Sequence, residues 1–506
     1  MANGKIYSFT KGVISNDVLD FSQRTPFVRE VMLEKINPSR IILPMKMNYG
    51  VPCEPVVKKG DTVKVGQCVG MPAPHTFASP VHSGISGTVT DVAPVTLPNG
   101  ISCMAVFIEN DMKRTTIESI RPRTHMNMSA AETVAIIRAA GICGMGGEGI
   151  PTAAKISRAK RHNVSELLVN CLQSEPFATC DLTVICDHTD YVVRGACAVA
   201  ATSGARKVRF LISHKRKAEQ KMLQASIDSI KNEFDNIDLE ICLFRDRYPQ
   251  GYYRLVAKAL YGKNLAEGAI LEEECGAVMF NCSTLYAVWR ALADNMPLTD
   301  RIVSVCTDSY CKHNVLVPIG TPLSEIVNSG SGSVPVTDRI IWGNCLTGLA
   351  VQDPENTPVI KITSAVTVAP SNFIPKTPCI HCGLCSETCP MSLSPNIVYE
   401  MLVQGLSQKA AEEGGRDCIA CGTCSYICPA GIDLAAMIAP FASAGRIIEE
   451  NSLLHNTSFS TGSVKEVAED MVGEISLLEE FTEDDEDKKE VDPSAITLPF
   501  KGGKTI

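Results

Sequence analysis

Eight cysteines near the C-terminus repeat one spacing twice. The first run is Cys379-x2-Cys382-x2-Cys385-x3-Cys389-Pro390, and the second is Cys418-x2-Cys421-x2-Cys424-x3-Cys428-Pro429. Thiolates are soft, electron-rich ligands that suit iron–sulfur clusters. In runs of this spacing three cysteines hold one cluster and the fourth crosses to the other. The pattern predicts two 4Fe-4S clusters, one on Cys379, Cys382, Cys385 and Cys428, the other on Cys418, Cys421, Cys424 and Cys389. A zinc or disulfide reading is the plainer alternative, but zinc takes four ligands, and here two interleaved sets of four are each followed by proline. The chemistry implied is single-electron transfer.

At a length of 506 residues and roughly 150 residues per domain, about three domains are expected. The 22 cysteines come with a polar, mixed opening over residues 1–9 and no charged-then-apolar leader, which points to a reducing cytosol where thiols persist. No apolar run reaches the ~18 residues needed to span a bilayer. Residues 196–201 are apolar but are soon followed by Gly204, Arg206 and Lys207, so membrane association is expected through partners. The net charge is −9, part of it in the stretch EEFTEDDEDKKE at 479–490, and this argues against a nucleic-acid partner. Such an acidic run reads as a solvated, partly disordered tail.

The elements that must position the cysteines change character along the chain. Over 51–92, short apolar-alternating runs are separated by turn residues at Gly60-Asp61, Gly66 and Ser83-Gly84, the pattern of a small β sandwich. The wording resembles a biotinyl/lipoyl-type carrier domain. Met45-Lys46-Met47 is nevertheless a decoy, because Lys46 precedes the "GD-x-V-x-x-GQ" stretch and no lysine lies between Gln67 and Val81. From 129 to about 307 helices and strands alternate. Ser129 and Glu132 form a capping box opening a helix through Ala140, with Gly141 past its end. Strands are expected at 166–170, 207–213, 239–244 and 277–281, in a largely parallel sheet with ligands beyond its carboxyl ends. Short strands return over 301–370, including 315–320 and 339–343.

After the capped helix comes Gly141-Ile-Cys-Gly144-Met-Gly146-Gly147-Glu148-Gly149-Ile-Pro151-Thr152-Ala-Ala-Lys155. Glycines let backbone approach a ligand closely, and a phosphate suits the N-terminus of the following helix, met by Lys155. Alone, such a loop reads equally well as a tight inter-helix turn. It lacks the GxxxxGK[ST] spacing of a nucleotide triphosphatase, and it follows a helix where a Rossmann fingerprint follows a strand.

GMGGEGIPTAAK resembles the flavin loop of the FMN-binding subunit of respiratory complex I, and more closely that of the C subunit of Rnf-type electron transport complexes. Asn170-Cys-Leu-Gln-Ser174-Glu175-Pro176 with Thr179 and Asp181, then Arg247-Tyr248-Pro249-Gln250-Gly251 and Asn281-Cys-Ser-Thr284, are similar to further segments of that family. The resemblance runs from about 50 to 440. It implies noncovalent FMN, with the Gly146/Gly147 loop and Lys155 near the phosphate and with Gly144 and Gly149 in the cofactor-binding set. Asn170, Glu175, Asn281 and Thr284 would surround the ring and ribityl chain, with Asp181 in the same cofactor-binding set, and NAD(H) would dock face-on to the ring.

It further implies a multidomain α/β fold. An N-terminal segment (1–50) precedes a biotinyl/lipoyl-like β sandwich without carrier lysine (51–120) and an FMN-binding α/β domain (121–300). A β-grasp-like module (301–370), a two-cluster ferredoxin-like domain (371–441) and the acidic tail (442–506) follow. The expected function is a peripheral oxidoreductase subunit on the cytoplasmic side of the cell membrane. It would pass electrons between NAD(H), FMN and two clusters, and partner subunits, one of ferredoxin type, would couple this to ion translocation. A corrin reductase of a microcompartment and a cluster-only electron wire are the alternatives. No general acid or base is required.

Three features depart from the family pattern. Glu148 replaces a small residue, and its carboxylate repels a phosphate unless it turns to solvent. Gln173 stands where the family has an acid, and no His-Pro-Pro-Glu-like stretch precedes Val51. Cys143, Cys171, Cys180, Cys186, Cys275 and Cys282 lack paired spacing and read as packing residues. His75, His82, His188 and His214 have no partner at metal spacing. Tyr286 and Trp289 read as core.

Overall fold

The computed structural model describes residues 5–9, 11–14, 33–74, 76–123, 128–172, 175–234, 236–307, 311–329, 338–370 and 376–443. The acidic stretch 479–490, with Gln173 and His75, lies outside them.

The expected capping box opens the helix Ala130–Ala139. Ser129 Oγ accepts from the Glu132 N–H at 3.2 Å, and Glu132 returns the bond to the Ser129 N–H at 2.7 Å. Two orphan N–H groups of the first turn are thereby satisfied. The helix belongs to a central α/β unit whose sheet runs in the order Ile6–Tyr7, Asp238–Phe244, Lys207–Ser213, Glu166–Asn170, Ala277–Asn281. Every pair in it is parallel. In the strand Glu166–Asn170, paired on both edges, Leu167, Leu168 and Val169 are apolar in succession and fully buried. The helix Thr189–Ser203 lies so close to Cys282–Asp294 that a Cβ on Gly195 would come within 2.1 Å of the Leu285 carbonyl oxygen.

Two small antiparallel sheets precede this unit, one of four strands and one of three. The larger takes in Arg40–Pro44, which pairs with Ser102–Asn110 and places Ile42 opposite Phe107. The sheet therefore reaches back before residue 51. Lys46 sits between the buried Met45 and Met47, in the segment that precedes the hairpin strands Cys68–Met71 and Val81–His82. The described residues among the first 50 serve four sheets, because Ile6–Tyr7 joins the central sheet, Val13–Ile14 pairs with Arg247–Tyr248 and Leu33–Lys35 pairs with Cys311–Pro318. These pairings are long-range, and no local pattern announces them.

A six-stranded mixed sheet follows, in the order Leu349–Val351, Asp338–Trp342, Ala365–Pro370, Asp300–Thr307, Cys311–Pro318, Leu33–Lys35. Lys361, beside this sheet, is fully buried. Its ammonium donates to the carbonyls of Pro80 (2.6 Å), Gly141 (2.8 Å) and Ser79 (3.4 Å), fastening the first unit and the root of the glycine loop to the third. The cysteine-rich unit has its own small core of Cys385, Val398, Ala410, Leu434 and Ile438. Trp289 is core, and Tyr286 stacks on the His188 ring at 4.5 Å. Among the cysteines outside the two runs, Cys143, Cys171, Cys180 and Cys282 are buried, while Cys186 and Cys275 are partly so.

Candidate functional site

Parallel register brings Asn170 and Asn281 side by side at the carboxyl ends of adjacent strands. A cavity of about 440 Å³ opens there, where ligands bind in open α/β sheets. Asn281 caps the helix Cys282–Asp294, its side-chain oxygen accepting from the Ser283 N–H at 2.8 Å. Its amide donates to Asp181 at 2.7 Å, and Ser283 Oγ donates to the other carboxylate oxygen at 2.6 Å. Burial pushes the Asp181 carboxyl up, and these two hydrogen bonds oppose the shift. Asp181 is not among the residues lining the cavity. Expected as a cofactor contact, it stands behind Asn281 and orients it.

The glycine loop forms one wall through Gly144, Gly146 and Gly147. Thr284 is fully buried, and its hydroxyl accepts from the Met145 N–H at 2.9 Å, pinning the loop to the helix. Gly147 has φ +115° with open space where a Cβ would stand, so the bare backbone borders the cavity. Gly149 is off the lining and turned toward Asn48 and Tyr49, whose N–H bonds its carbonyl at 2.9 Å. Its backbone holds the loop against that segment.

Lys155, in the first turns of the helix Thr152–Arg161, reaches the cavity over the Phe280 ring, 5.3 Å from its centroid. Glu148 does not turn wholly to solvent. It is half-exposed and holds its carboxylate 4.0 Å from the Lys155 ammonium. Asn170 ties the opposite wall, accepting from the Leu172 N–H and donating to the Gly251 carbonyl, each at 3.1 Å. Glu175 accepts from Ser364 Oγ at 2.5 Å, and burial pushes its carboxyl up.

The stretch 247–251 resembles a family segment, yet nothing in its spacing singles out a site residue. Tyr248, Pro249, Gly251, Tyr252 and Tyr253 line the cavity, as do Asn344 and Thr347 from the third unit. The remaining wall is Ile419, Ala420 and Cys421, from the second cysteine run. Tyr248 is buried and its hydroxyl donates to the Cys421 carbonyl at 2.9 Å.

Each predicted set of four cysteines surrounds one small cavity of about 20 Å³. Cys389, Cys418, Cys421 and Cys424 line the first, and Cys379, Cys382, Cys385 and Cys428 line the second. The runs bend alike, with His381 and Ala420 at φ +53° and +54°, and Gly383 and Gly422 at +79° and +76°. Left-handed backbone at non-glycine residues costs about 1 kcal/mol, and its recurrence at equivalent places marks a loop shaped around something. The donor sets fit two 4Fe-4S clusters. The bare glycine backbone, one lysine and two strand-end asparagines fit a phosphorylated flavin.

Residues 137–290 match the family model described as the Nuo51 FMN-binding domain, 7–113 the RnfC barrel sandwich hybrid domain, and 376–432 the 4Fe-4S dicluster domain. Over 411 residues the chain is 29% identical to the C subunit of the proton-translocating ferredoxin:NAD(+) oxidoreductase complex of Clostridium ljungdahlii, covering 80% of this chain and 87% of that protein. It is 31% identical over 387 residues to the C subunit of the Na(+)-translocating complex of Acetobacterium woodii, covering 75% and 85%. The C subunit of the ion-translocating oxidoreductase complex of Erwinia tasmaniensis is 30% identical over 407 residues, covering 78% of this chain but 48% of that longer protein. Among the described residues no helix is long and apolar enough to cross a membrane.

Proposed function

The chain belongs to the C-subunit family of ion-translocating ferredoxin:NAD(+) oxidoreductase complexes, and from that premise we propose how its residues divide the work of moving electrons. It is an oxidoreductase subunit with FMN and two 4Fe-4S clusters as cofactors, a peripheral component of a multi-subunit membrane-associated complex. When bound, FMN takes a hydride as an electron pair and gives it up singly, as iron–sulfur clusters require.

In this reading Gly144, Gly146 and Gly147 with Lys155 hold the phosphate end, and Asn170, Glu175 and Asn281 border the flavin, with Thr284 and Asp181 fixing them. The mouth of the cavity admits NAD(H). Cys389, Cys418, Cys421 and Cys424 form the near cluster set, while Cys379, Cys382, Cys385 and Cys428 form the outer one. The observation that carries this order is the shared wall, since Cys421 and its neighbour Ile419 border both the flavin cavity and the near set. At the outer set Cys382 is exposed and Ile380 is 64% exposed, as suits exchange with a partner's redox centre. The third sheet is assigned as a β-grasp-like module and the first unit as a carrier-type sandwich without its lysine. The subunit is placed on the cytoplasmic side.

Membership of this family does not support the corrin-reductase or cluster-only readings, and a cavity walled by glycine backbone suits a cofactor better than a wire. Anaerobic purification followed by denaturation tests the proposal. Release of FMN, together with iron and sulfide for two clusters, is expected. Intact cluster absorbance without flavin would leave only the wire.

A further inference from the structure

One buried cation is unexplained by flavin, nicotinamide or cluster binding. Arg254, in the first turn of the helix Tyr253–Tyr261, is 6% exposed and does not line the cavity. Burying a guanidinium is costly unless its donors are met. Here Nε donates to the Leu265 carbonyl at 2.9 Å, Nη2 to Asp417 Oδ1 at 2.6 Å, and Nη1 to the Asp417 carbonyl at 3.4 Å. Two of the three bonds leave the flavin unit and end on the residue just before Cys418.

That residue is not a loose anchor. Asp417 closes the turn Gly415–Asp417, and the turn is wedged against its own unit: a Cβ on Gly415 would come within 2.6 Å of the Ala410 carbonyl oxygen and 2.8 Å of Val398. Four residues on, Cys421 takes the hydrogen bond from Tyr248. The loop carrying Cys418 and Cys421 is thus gripped at both ends from one short stretch, 248–254, whose middle residues line the cavity. An apolar pair of the same volume would pack as well but would leave the sliding direction open, whereas a directional Arg–carboxylate contact fixes register.

We infer that Arg254 is a positioning residue, which through Asp417 holds the near-cluster loop at a fixed distance from the flavin cavity and so sets the rate of electron passage between them. The inference rests on the proposed order of cavity, near set and outer set. Because the contact lies outside both cofactor sites, its loss should slow that passage while sparing the step before it.

The test compares the full-length, cofactor-loaded protein with Arg254→Gln, Asp417→Asn and the double variant, after rapid anaerobic mixing with NADH. Flavin bleaching and the near-cluster EPR signal are followed separately. Flavin content and bleaching rate are expected to match the parent, with near-cluster reduction slowed on the order of tenfold. The double variant should be no slower than either single one, and Arg254→Lys should recover part of the rate. Hydrogen exchange at residues 418–422 should rise in the variants. Parent-like cluster reduction in Asp417→Asn overturns the inference, as does equal slowing of bleaching and cluster reduction. If NADH bleaches the parent's flavin but its near cluster then stays oxidised, the proposed order fails and takes the inference with it.

Discussion

Asn170 and Asn281 are register partners at the ends of two parallel strands, and each is held by its own local bonds, Asn170 to Leu172 and Gly251, Asn281 to Ser283 and Asp181. Neither is placed by the other. The pairing that fixes them belongs to the buried strands behind, so the site inherits its precision from the sheet. Asp181→Ala should expose this dependence. It leaves the Asn281 amide and the Ser283 hydroxyl without their acceptor in a buried place, a loss of about 1–3 kcal/mol. FMN affinity should fall at least about tenfold, as read by fluorescence titration of flavin-depleted protein. An unchanged dissociation constant would mean that Asn281 needs no support.

Glu148 competes for Lys155, which among the described residues is the one lysine lining the cavity. Its carboxylate lies 4.0 Å from Lys155 and is half-exposed, so the pair contributes at most about 1 kcal/mol. Glu148→Gln frees the ammonium for a phosphate, and FMN should bind about fivefold tighter. Riboflavin, lacking the phosphate, should bind as before. Equal gains for both flavins would show that the carboxylate acts elsewhere.

Lys361 is the fastening between units. Lys361→Met keeps the apolar stem and removes three donors, leaving the carbonyls of Ser79, Pro80 and Gly141 unmet by it. A loss of about 3 kcal/mol in unfolding free energy is expected, measurable by denaturant titration. A loss below ~1 kcal/mol would show that water replaces the ammonium.

His82 ties stability to acid. Burial, aided by the nearby Lys361 charge, holds its imidazole down to about 3, against an ordinary value of 6.5. Between those values the unfolded chain binds the proton and the folded chain does not, so stability rises with pH over that window and falls on acidification below about 6.5. The slope should approach ~1.4 kcal/mol per pH unit. His82→Phe should flatten it in melting curves taken between pH 4 and 6.5, and an unchanged slope would assign the effect to other groups.

Much of this architecture was legible in the sequence. The strands Glu166–Asn170, Lys207–Ser213 and Ala277–Asn281 stand where apolar runs are bounded by caps and turns, because local patterning and burial on both faces agree. The cysteine sets follow from spacing alone, since a ligand run carries its own geometry. Contacts between distant segments were not legible. Asp181 reads as a cofactor contact in the same way as Asn281, and only the structure separates the residue at the wall from the one behind it. The wall formed by Tyr248 and Cys421 joins positions 173 residues apart, with no periodicity to announce it. The early pairing of Arg40–Pro44 was equally hidden, because a five-residue apolar run does not name its partner.

The order of the two cluster sets can be read in a pair of cysteine variants. Cys421→Ala should remove the near cluster and Cys382→Ala the outer one, each confirmed by loss of half the iron. Freeze-quench EPR after mixing with NADH should then show the near cluster of Cys382→Ala reduced as fast as in the parent, while the outer cluster of Cys421→Ala stays oxidised. Rapid reduction of the outer cluster without the near one, or a near cluster that waits on the outer, would contradict the order.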